Sequence, residues 1–435
     1  MTITTGFSRL NRGQRIEYLI EHSKLDVENG YQLHDFDASE VENQKVFEGM
    51  VENYIGNFPV PMGIVANMVL NGESLAIPFV TEESSVIAAA SKAAKFWAAR
   101  GGFHAVVSSV TKKGQVHFTW NGIPEQIRKL FPEIRKKLLF SSGGLTQKME
   151  QRGGGIKEIQ LIDLTRELHN YYQLDVSFET AEAMGANFIN SCLESLAAVL
   201  SNLSELNTAD NHVEIIMSVL SNYTPDCRVN CHVECPVEAL TGWSQNMTGR
   251  IFATKFRQAV DIANLNIQRA VTHNKGLFNG IDAVMLATGN DWRAAAASAH
   301  AYASKDGTYK GLTTIQLTDN QFRYELELPL ALGTVGGITQ IHPVVKKSMA
   351  IMNHPDAQKL MMIAAASGLA NNFAAIASLI TTGIQDGHMR MHLANLLTQL
   401  HASQSEREFA VSHFSHKTVS YAAVENLIGQ IRNEI

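Results

Sequence analysis

Thr272–Ala294 reads THNKGLFNGIDAVMLATGNDWRA. The run Ile281–Ala287 is apolar and reads as a buried segment, with Lys275 and Asn279 before it and Asn290, Asp291 and Arg293 after it. An amine and a carboxylate held at the edge of a core shift each other's pKa, so the stretch is either a catalytic pair or a structural ion pair. The helical residues 246–270 lead into it and bring Arg269, Thr272 and His273 just ahead of Lys275. Beyond it, residues 300–332 look like a sheet segment with turns at Asp306-Gly307 and Asp319-Asn320. Gly333, Gly336 and Gly337 then form a glycine-rich bend suited to close backbone approach to a ligand.

Two helices follow, Pro355–Leu369 and Asn372–Leu379, joined through GLANN. The GHMRMH stretch sets His388 four residues before His392, a spacing open to a metal site, a structural histidine pair or a proton-transferring histidine. Residues 403–435 read as a polar amphipathic tail of two helices.

Toward the N-terminus, residues 8–30 carry Arg9, Arg12 and Arg15 on a helical pattern. It fits a surface helix or an arginine that meets a ligand phosphate. Met62–Leu70 and Ser74–Val80 read as strands joined by Asn71-Gly72, a hairpin signal. Glu82 and Glu83 then stand before a helix over 86–100 that Gly101-Gly102 would end. Carboxylates there serve as a helix cap or as a general acid with a raised pKa. From about residue 104 a new domain is expected, opening with a second hairpin that turns at Lys112–Gly114. An amphipathic helix over 124–151, strands 156–164 and 174–178, and a further helix give a β-α-β-β-α-β order, a split βαβ sandwich. AEAMGAN, residues 181–187, is a small-residue turn at a helix start, open to holding a pyrophosphate or to close helix packing. No strand–GxGxxG–helix occurs, which argues against a Rossmann domain.

The chain has 435 residues, enough for two or three domains, with 45% hydrophobic and 18% charged residues and a net charge of −6. That charge gives no general pull toward nucleic acid or an anionic membrane. The N-terminal stretch lacks an apolar signal region, and the most apolar run, Met361–Thr382, is interrupted by Ser367, Asn371, Asn372 and Ser378. A cytoplasmic protein is expected. Three of the four cysteines, Cys227, Cys231 and Cys235, flank His232, yet they alternate with polar residues at strict period two. That pattern favours a half-buried strand over a zinc site.

Taken in order, ENYIG, PMG, Glu82-Glu83, GGGI, AMGAN, THNKGLFNGID, ATGNDWRA, GTVGG, GLANN and GHMRMH resemble the bacterial class II 3-hydroxy-3-methylglutaryl-coenzyme A (HMG-CoA) reductases along nearly the whole chain. The resemblance implies an α+β fold. A large mixed substrate domain (1–107 and 226–381) would carry an inserted non-Rossmann, ferredoxin-like cofactor domain (108–225) and a helical C-terminal flap (382–435). It implies interconversion of HMG-CoA with mevalonate and CoA by two hydride transfers, with no metal, in a homodimer or a multiple of dimers. Lys275 matches the family's oxyanion-stabilising lysine, Glu83 its proton donor, Asp291 the aspartate linking the two, and His388 the histidine that protonates the CoA thiolate. Ser85, Arg269, Thr272 and Asn372 match positions that hold the HMG portion, and Asn279 matches the amide beside the network. Glu182, Met184, Gly185, Ala186, Asn187 and Asn222 match the cofactor site. The family usually has aspartate where this chain has Glu182, and a carboxylate there favours NADH over NADPH. The rival readings are a non-catalytic CoA- or nucleotide-binding homologue and a thiolase-like acyltransferase with a nucleophilic cysteine.

Overall fold

A computed structural model describes residues 6–244, 247–381, 393–414, 417 and 419–433. The helices α1 (Arg12–His22), α2 (Val27–Tyr31) and α3 (Val41–Glu48) come first. Arg12 is the tie among them, donating to both carboxylate oxygens of Asp37, which fits a structural arginine. The hairpin β1 (Met62–Leu70) and β2 (Glu73–Val80) follows, its Asn71 and Gly72 both at positive φ as a tight turn of this hand requires. Helix α4 (Ser84–Ala98) starts two residues earlier than its sequence pattern suggests, so Glu83 is itself the cap residue.

Strand β3 (His104–Val107) does not form a hairpin with β4 (Lys112–Trp120), against the sequence expectation. It pairs instead with a strand far along the chain, β8 (Arg228–Pro236). The expected turn at Lys112–Gly114 is the start of β4, where Gly114 makes room for a helix: a Cβ there would lie 2.6 Å from Leu193. Residues 108–111 bond back to Arg228 and Asp226, so the chain leaves one sheet and re-enters it beside the same point. Between exit and return lie β4, α5 (Pro124–Glu150), β5 (Gly155–Asp163), β6 (Tyr171–Glu179), α6 (Ala186–Ser201) and β7 (Val213–Leu220). Their sheet runs β5-β6-β4-β7 with antiparallel neighbours, and its core includes Phe118, Trp120, Tyr172, Leu174, Leu193 and Leu196.

The other four-stranded sheet, β3-β8-β10-β9, uses β9 (Thr313–Leu317) and β10 (Gln321–Pro329). Along β8, Val229, Cys231, Val233 and Cys235 are buried while Arg228, Asn230, His232 and Glu234 are not, the alternation read from the sequence. Of the helices that follow, α7 (Gly249–Leu265), α9 (Trp292–Ala303) and α11 (Ala357–Ile380) pack against this sheet, and α8 (Ile267–Ala287) and α10 (Pro343–Ile351) pack on β2. Residues His300–Ala303, expected to open a sheet segment, instead end α9.

Two boundaries differ from expectation for one reason. Ile281–Ala287 is the last third of α8, continuous with Lys275, and the two helices expected around GLANN are the single helix α11. Gly280 and Gly368 are not breakers; they let α8 and α11 cross closely. A Cβ on Gly280 would stand 2.3 Å from the Ser367 carbonyl oxygen, and one on Gly368 would stand 2.8 Å from Ile281 and 3.0 Å from the Leu277 carbonyl. Close backbone approach offsets the usual helical cost of glycine, about 1 kcal/mol each. Helix α11 is long and apolar enough to cross a membrane, with mean hydropathy 1.5, but 89% of that window is buried inside the protein. It is the central core helix, its Phe373 stacked on Phe96 and packed edge-on or tilted against Trp97, Trp243, Phe252 and Phe256.

Near the C-terminus, residues 393–399 (α12), α13 (Gln404–His413) and α14 (Tyr421–Asn433) share a separate apolar cluster built on Leu397, Ala410, Val424 and Ile428. Arg432 ties α14 to Glu406, the residue that completes the capping box of α13.

The crossing predicts opposite effects from two glycine substitutions, checked by chemical denaturation. Gly280→Ala should lose about 3 kcal/mol, because a backbone carbonyl cannot yield as a side chain can. Gly143→Ala, in α5 with open space around its Cβ position, should gain up to about 1 kcal/mol.

A second prediction concerns Asp282 on α8. Burial pushes its carboxyl up from 3.8 to about 7, only partly offset by Lys275, and its Oδ1 is buried without a hydrogen-bond partner. A folded-state pKa above the unfolded one means that its contribution is fully present below 3.8 and is lost as pH rises to about 7. Unfolding free energies measured across that window should fall with pH more steeply in wild type than in Asp282→Asn.

Candidate active site

The site is built on one face of α8. Arg269, Thr272, Lys275, Asn279 and Asp282 recur at steps of three and four residues and form a polar stripe. Ala270, Leu277, Ile281 and Val284 occupy the buried side. Lys275 is thus fixed by the same helix that fills the core, while its own side chain is 64% exposed.

Across from it, Glu83 ends the loop after β2. Its backbone caps α4, but its side chain makes no cap hydrogen bond, which leaves the carboxylate to reach outward. One oxygen, Oε2, lies 3.7 Å from Lys275 Nζ. The other, Oε1, accepts a short hydrogen bond from Ser85 Oγ. An ion pair this accessible adds at most about 1 kcal/mol to stability, so its interest is chemical. It presents an ammonium and a carboxyl side by side on an open surface, able to stabilise an oxyanion and to pass a proton.

Asp291 is placed differently. It caps α9, accepting from the backbone N–H groups of Arg293 and Ala294, both at 3.1 Å, with the Arg293 guanidinium at 3.3 Å. These contacts lie at its own helix start rather than at Lys275. Its loop is anchored by Asn290, whose side-chain oxygen accepts from the Gly333 N–H at 2.9 Å and so ties GND to the glycine bend. Arg269 is half-buried, and burial holds its pKa below the usual arginine value. Thr272 is exposed and donates to the Gln268 carbonyl. Asn372 is buried, with its amide engaged by the Tyr324 hydroxyl and the His273 carbonyl. His388 and His392 lie outside the described residues.

Elsewhere, AEAMGAN makes the predicted turn at the start of α6. Gly185 has φ 93°, and a Cβ on it would meet Thr180 at 2.4 Å, so the position is restricted to glycine. As the cap of α6 it offers no side-chain acceptor, which leaves the first N–H groups, at Ala186 and Asn187, for an anion. Met184, Ala186 and Asn222 line a small cavity of about 20 Å³ with Lys112, Ala295 and Ser298. Lys112 is buried, its pKa lowered by desolvation, and it holds the turn by donating to Thr180 and to the Ala183 carbonyl. Glu182 is tied down rather than free: its Oε2 accepts from Thr334 Oγ1 at 2.9 Å and from the Ala357 N–H at 2.7 Å. Its backbone carbonyl accepts from the Thr334 N–H. The uncapped helix start and the bare glycine fit a dinucleotide pyrophosphate.

Lys112, Asp282, Thr313 and Tyr324 escaped the sequence reading. For Lys112 a signal was present: it shares parity with Val116, Phe118 and Trp120, all buried on β4. The three clustered cysteines are buried free thiols; burial pushes Cys227 and Cys235 up to about 11 and Cys231 up as well, a poor setting for a nucleophile. Among the described residues, no group of three or more metal-ligating side chains is placed to hold an ion.

The chain is similar along most of its length to known proteins. It is 31% identical over 404 residues to the 3-hydroxy-3-methylglutaryl-coenzyme A reductase of Archaeoglobus fulgidus, covering 92% of this chain and 88% of that one. It is 34% identical over 367 residues to the probable 3-hydroxy-3-methylglutaryl-coenzyme A reductase of Borreliella burgdorferi, covering 84% and 82%. The solved class II enzyme of Streptococcus pneumoniae, bound to NADPH in open conformations, superposes with a TM-score of 0.72 at 34% identity over 87% of this chain and all of that one. The family model for hydroxymethylglutaryl-coenzyme A reductase matches residues 11–393, and the chain belongs to that family.

Proposed function

We propose that the chain is a nicotinamide-dependent oxidoreductase that interconverts HMG-CoA with mevalonate and CoA. The observation that carries this reading is the juxtaposition of Lys275, Glu83 and Ser85 beside the polar stripe of α8. HMG-CoA, two reduced nicotinamides and two protons give mevalonate, CoA and two oxidised nicotinamides. A nicotinamide cofactor, bound along the AEAMGAN turn, supplies the hydrides.

The residues do the rest. When hydride adds to the thioester carbon, its oxygen becomes an alkoxide, and the Lys275 ammonium stabilises that charge. Collapse of the hemithioacetal breaks the carbon–sulfur bond, and His388 gives a proton to the departing CoA thiolate. The aldehyde so formed takes the second hydride, and Glu83 protonates its oxygen to give the alcohol. Ser85 orients Glu83, and Asp291 adds a negative charge to the Lys275–Glu83 network. Because these groups act on one another, their titration belongs to the cluster. Arg269 holds the acyl carboxylate in a charge-assisted contact, and Thr272, Asn279 and Asn372 line the same end.

The sheet β5-β6-β4-β7 with α5 and α6 forms a ferredoxin-like cofactor domain (108–225) inserted in a substrate domain (1–107 and 226–381), and residues 382–435 form the flap. Met184, Gly185, Ala186, Asn187 and Asn222 hold the cofactor. Glu182 favours NADH by repelling a 2′-phosphate, with its Oε1 left to face the ribose. The protein works in the cytoplasm as a homodimer or a multiple of dimers.

The test follows absorbance of the reduced cofactor with HMG-CoA, NADH and NADPH being offered separately. Wild type should oxidise NADH faster than NADPH and form mevalonate. Lys275→Ala should lose at least about a hundredfold in turnover while still binding CoA. Undiminished turnover in that variant would overturn the mechanism, and faster oxidation of NADPH would overturn the role given to Glu182.

A further inference from the structure

Behind the polar stripe of α8 lies a closed ring of buried hydrogen bonds. His273 Nε2 is 2.6 Å from Thr313 Oγ1. Thr313 Oγ1 is 3.2 Å from the Tyr324 hydroxyl. The Tyr324 hydroxyl makes a closer contact to Asn372 Oδ1, and Asn372 Nδ2 returns to the His273 carbonyl at 2.6 Å. Four elements of the core, α8, the sheet strands β9 and β10, and α11, each contribute one member. All four residues are buried, Tyr324 and Thr313 completely.

Counting hydrogens gives the ring one direction. An amide oxygen only accepts, so the single Tyr324 proton goes to Asn372 Oδ1. Tyr324 then has no proton left for Thr313, and the threonine hydroxyl donates to the tyrosine oxygen. Thr313 is therefore the acceptor for His273, which carries its proton on Nε2. This leaves His273 Nδ1 as a buried lone pair without a partner, a smaller cost than a buried orphan N–H. The imidazole is neutral, since burial and the nearby Arg269 lower its pKa to about 3. Every donor in the chain points the same way, which strengthens each bond.

The consequence falls on Asn372. With Oδ1 held by Tyr324, the amide cannot flip, and of the two Nδ2 hydrogens only one is used by the His273 carbonyl. The nitrogen lies against the turn of α8 that contains Gly276, where a Cβ would lie 3.3 Å from Nδ2. Gly276 is the residue after Lys275. We propose that His273, Thr313 and Tyr324 are positioning residues that lock the Asn372 amide with its free N–H toward the Lys275 turn, as a donor to an oxygen of the bound acyl group. This rests on the acyl-binding role given above to Asn372, and it adds three residues that touch neither substrate nor cofactor.

The test uses the full-length enzyme with Tyr324→Phe, Thr313→Val and Thr313→Ser. Tyr324→Phe removes the proton that holds Asn372 Oδ1 and frees the amide to rotate, and Thr313→Val removes the donor that orients the Tyr324 hydroxyl, loosening the same hold. KM for HMG-CoA should rise on the order of tenfold, with KM for the reduced cofactor unchanged and kcat within about threefold, the scale of one misoriented hydrogen bond. Thr313→Ser keeps the hydroxyl and should restore KM for HMG-CoA to near the wild-type value. A folded Tyr324→Phe or Thr313→Val with unchanged KM for HMG-CoA overturns the proposal. So does a parallel rise in both KM values that tracks a lower Tm, the sign of a merely structural ring. Calorimetric binding of free 3-hydroxy-3-methylglutarate separates this from the proposed reaction. If wild type binds it but turns nothing over, the reaction fails, and the variants' weaker or equal binding still decides the ring.

Discussion

Helices α8 and α11 cross at backbone contact, and the other parts of the site depend on that contact. Gly280 and Gly368 remove the side chains that would hold the helices apart, with the Ser367 and Leu277 carbonyls taking the space. The close crossing buries one side of α8 so fully that its opposite face must be presented as a unit. That is why Arg269, Thr272, Lys275 and Asn279 can be arranged by a single rigid element rather than by separate loops. It also sets Asn372 of α11 beside His273 of α8, near enough for one amide to bond across the pair.

Two acidic residues at helix starts show how local backbone chemistry sorts function. Glu83 and Asp291 both precede a helix, but Asp291 uses its side chain on the first N–H groups of α9, whereas Glu83 makes no side-chain hydrogen bond to those of α4. The longer Glu83 side chain reaches past its own helix to Lys275 and is steadied by Ser85. Glu182 is a third case, with its carboxylate on the first N–H of a helix that belongs to another part of the chain, α11. Through it the AEAMGAN turn, the glycine bend and the core helix share one anchor.

Much of this was legible in the sequence because local rules and tertiary needs agree. The Asn71-Gly72 hairpin, the alternating strand with its inward cysteines, the helix after β4 and the strands β5 and β6 appear where their patterns put them, whereas β7 had no pattern read for it. The failures came where a residue serves a partner distant in sequence. Gly114, Gly280 and Gly368 look like punctuation in one dimension but are contact points for helices. The β3 strand pairs with β8, more than a hundred residues away, so no neighbouring turn could announce it. Lys112 reads as a turn residue and is a buried ligand of the AEAMGAN turn. Tyr324 and Thr313 carry no motif, and their role depends on which hydroxyls the fold brings within reach of Asn372.

The central claim is that Glu83 and Lys275 act on the substrate as one unit. A double-mutant cycle on the single-turnover rate of cofactor oxidation tests it most directly, using Glu83→Gln, Lys275→Ala and the double variant. If the two groups work together, the first substitution removes most of what the pair supplies, and the double variant should be no more than about threefold slower than the slower single one. Losses that multiply, so that the double variant falls by the product of the two single effects, would contradict the account.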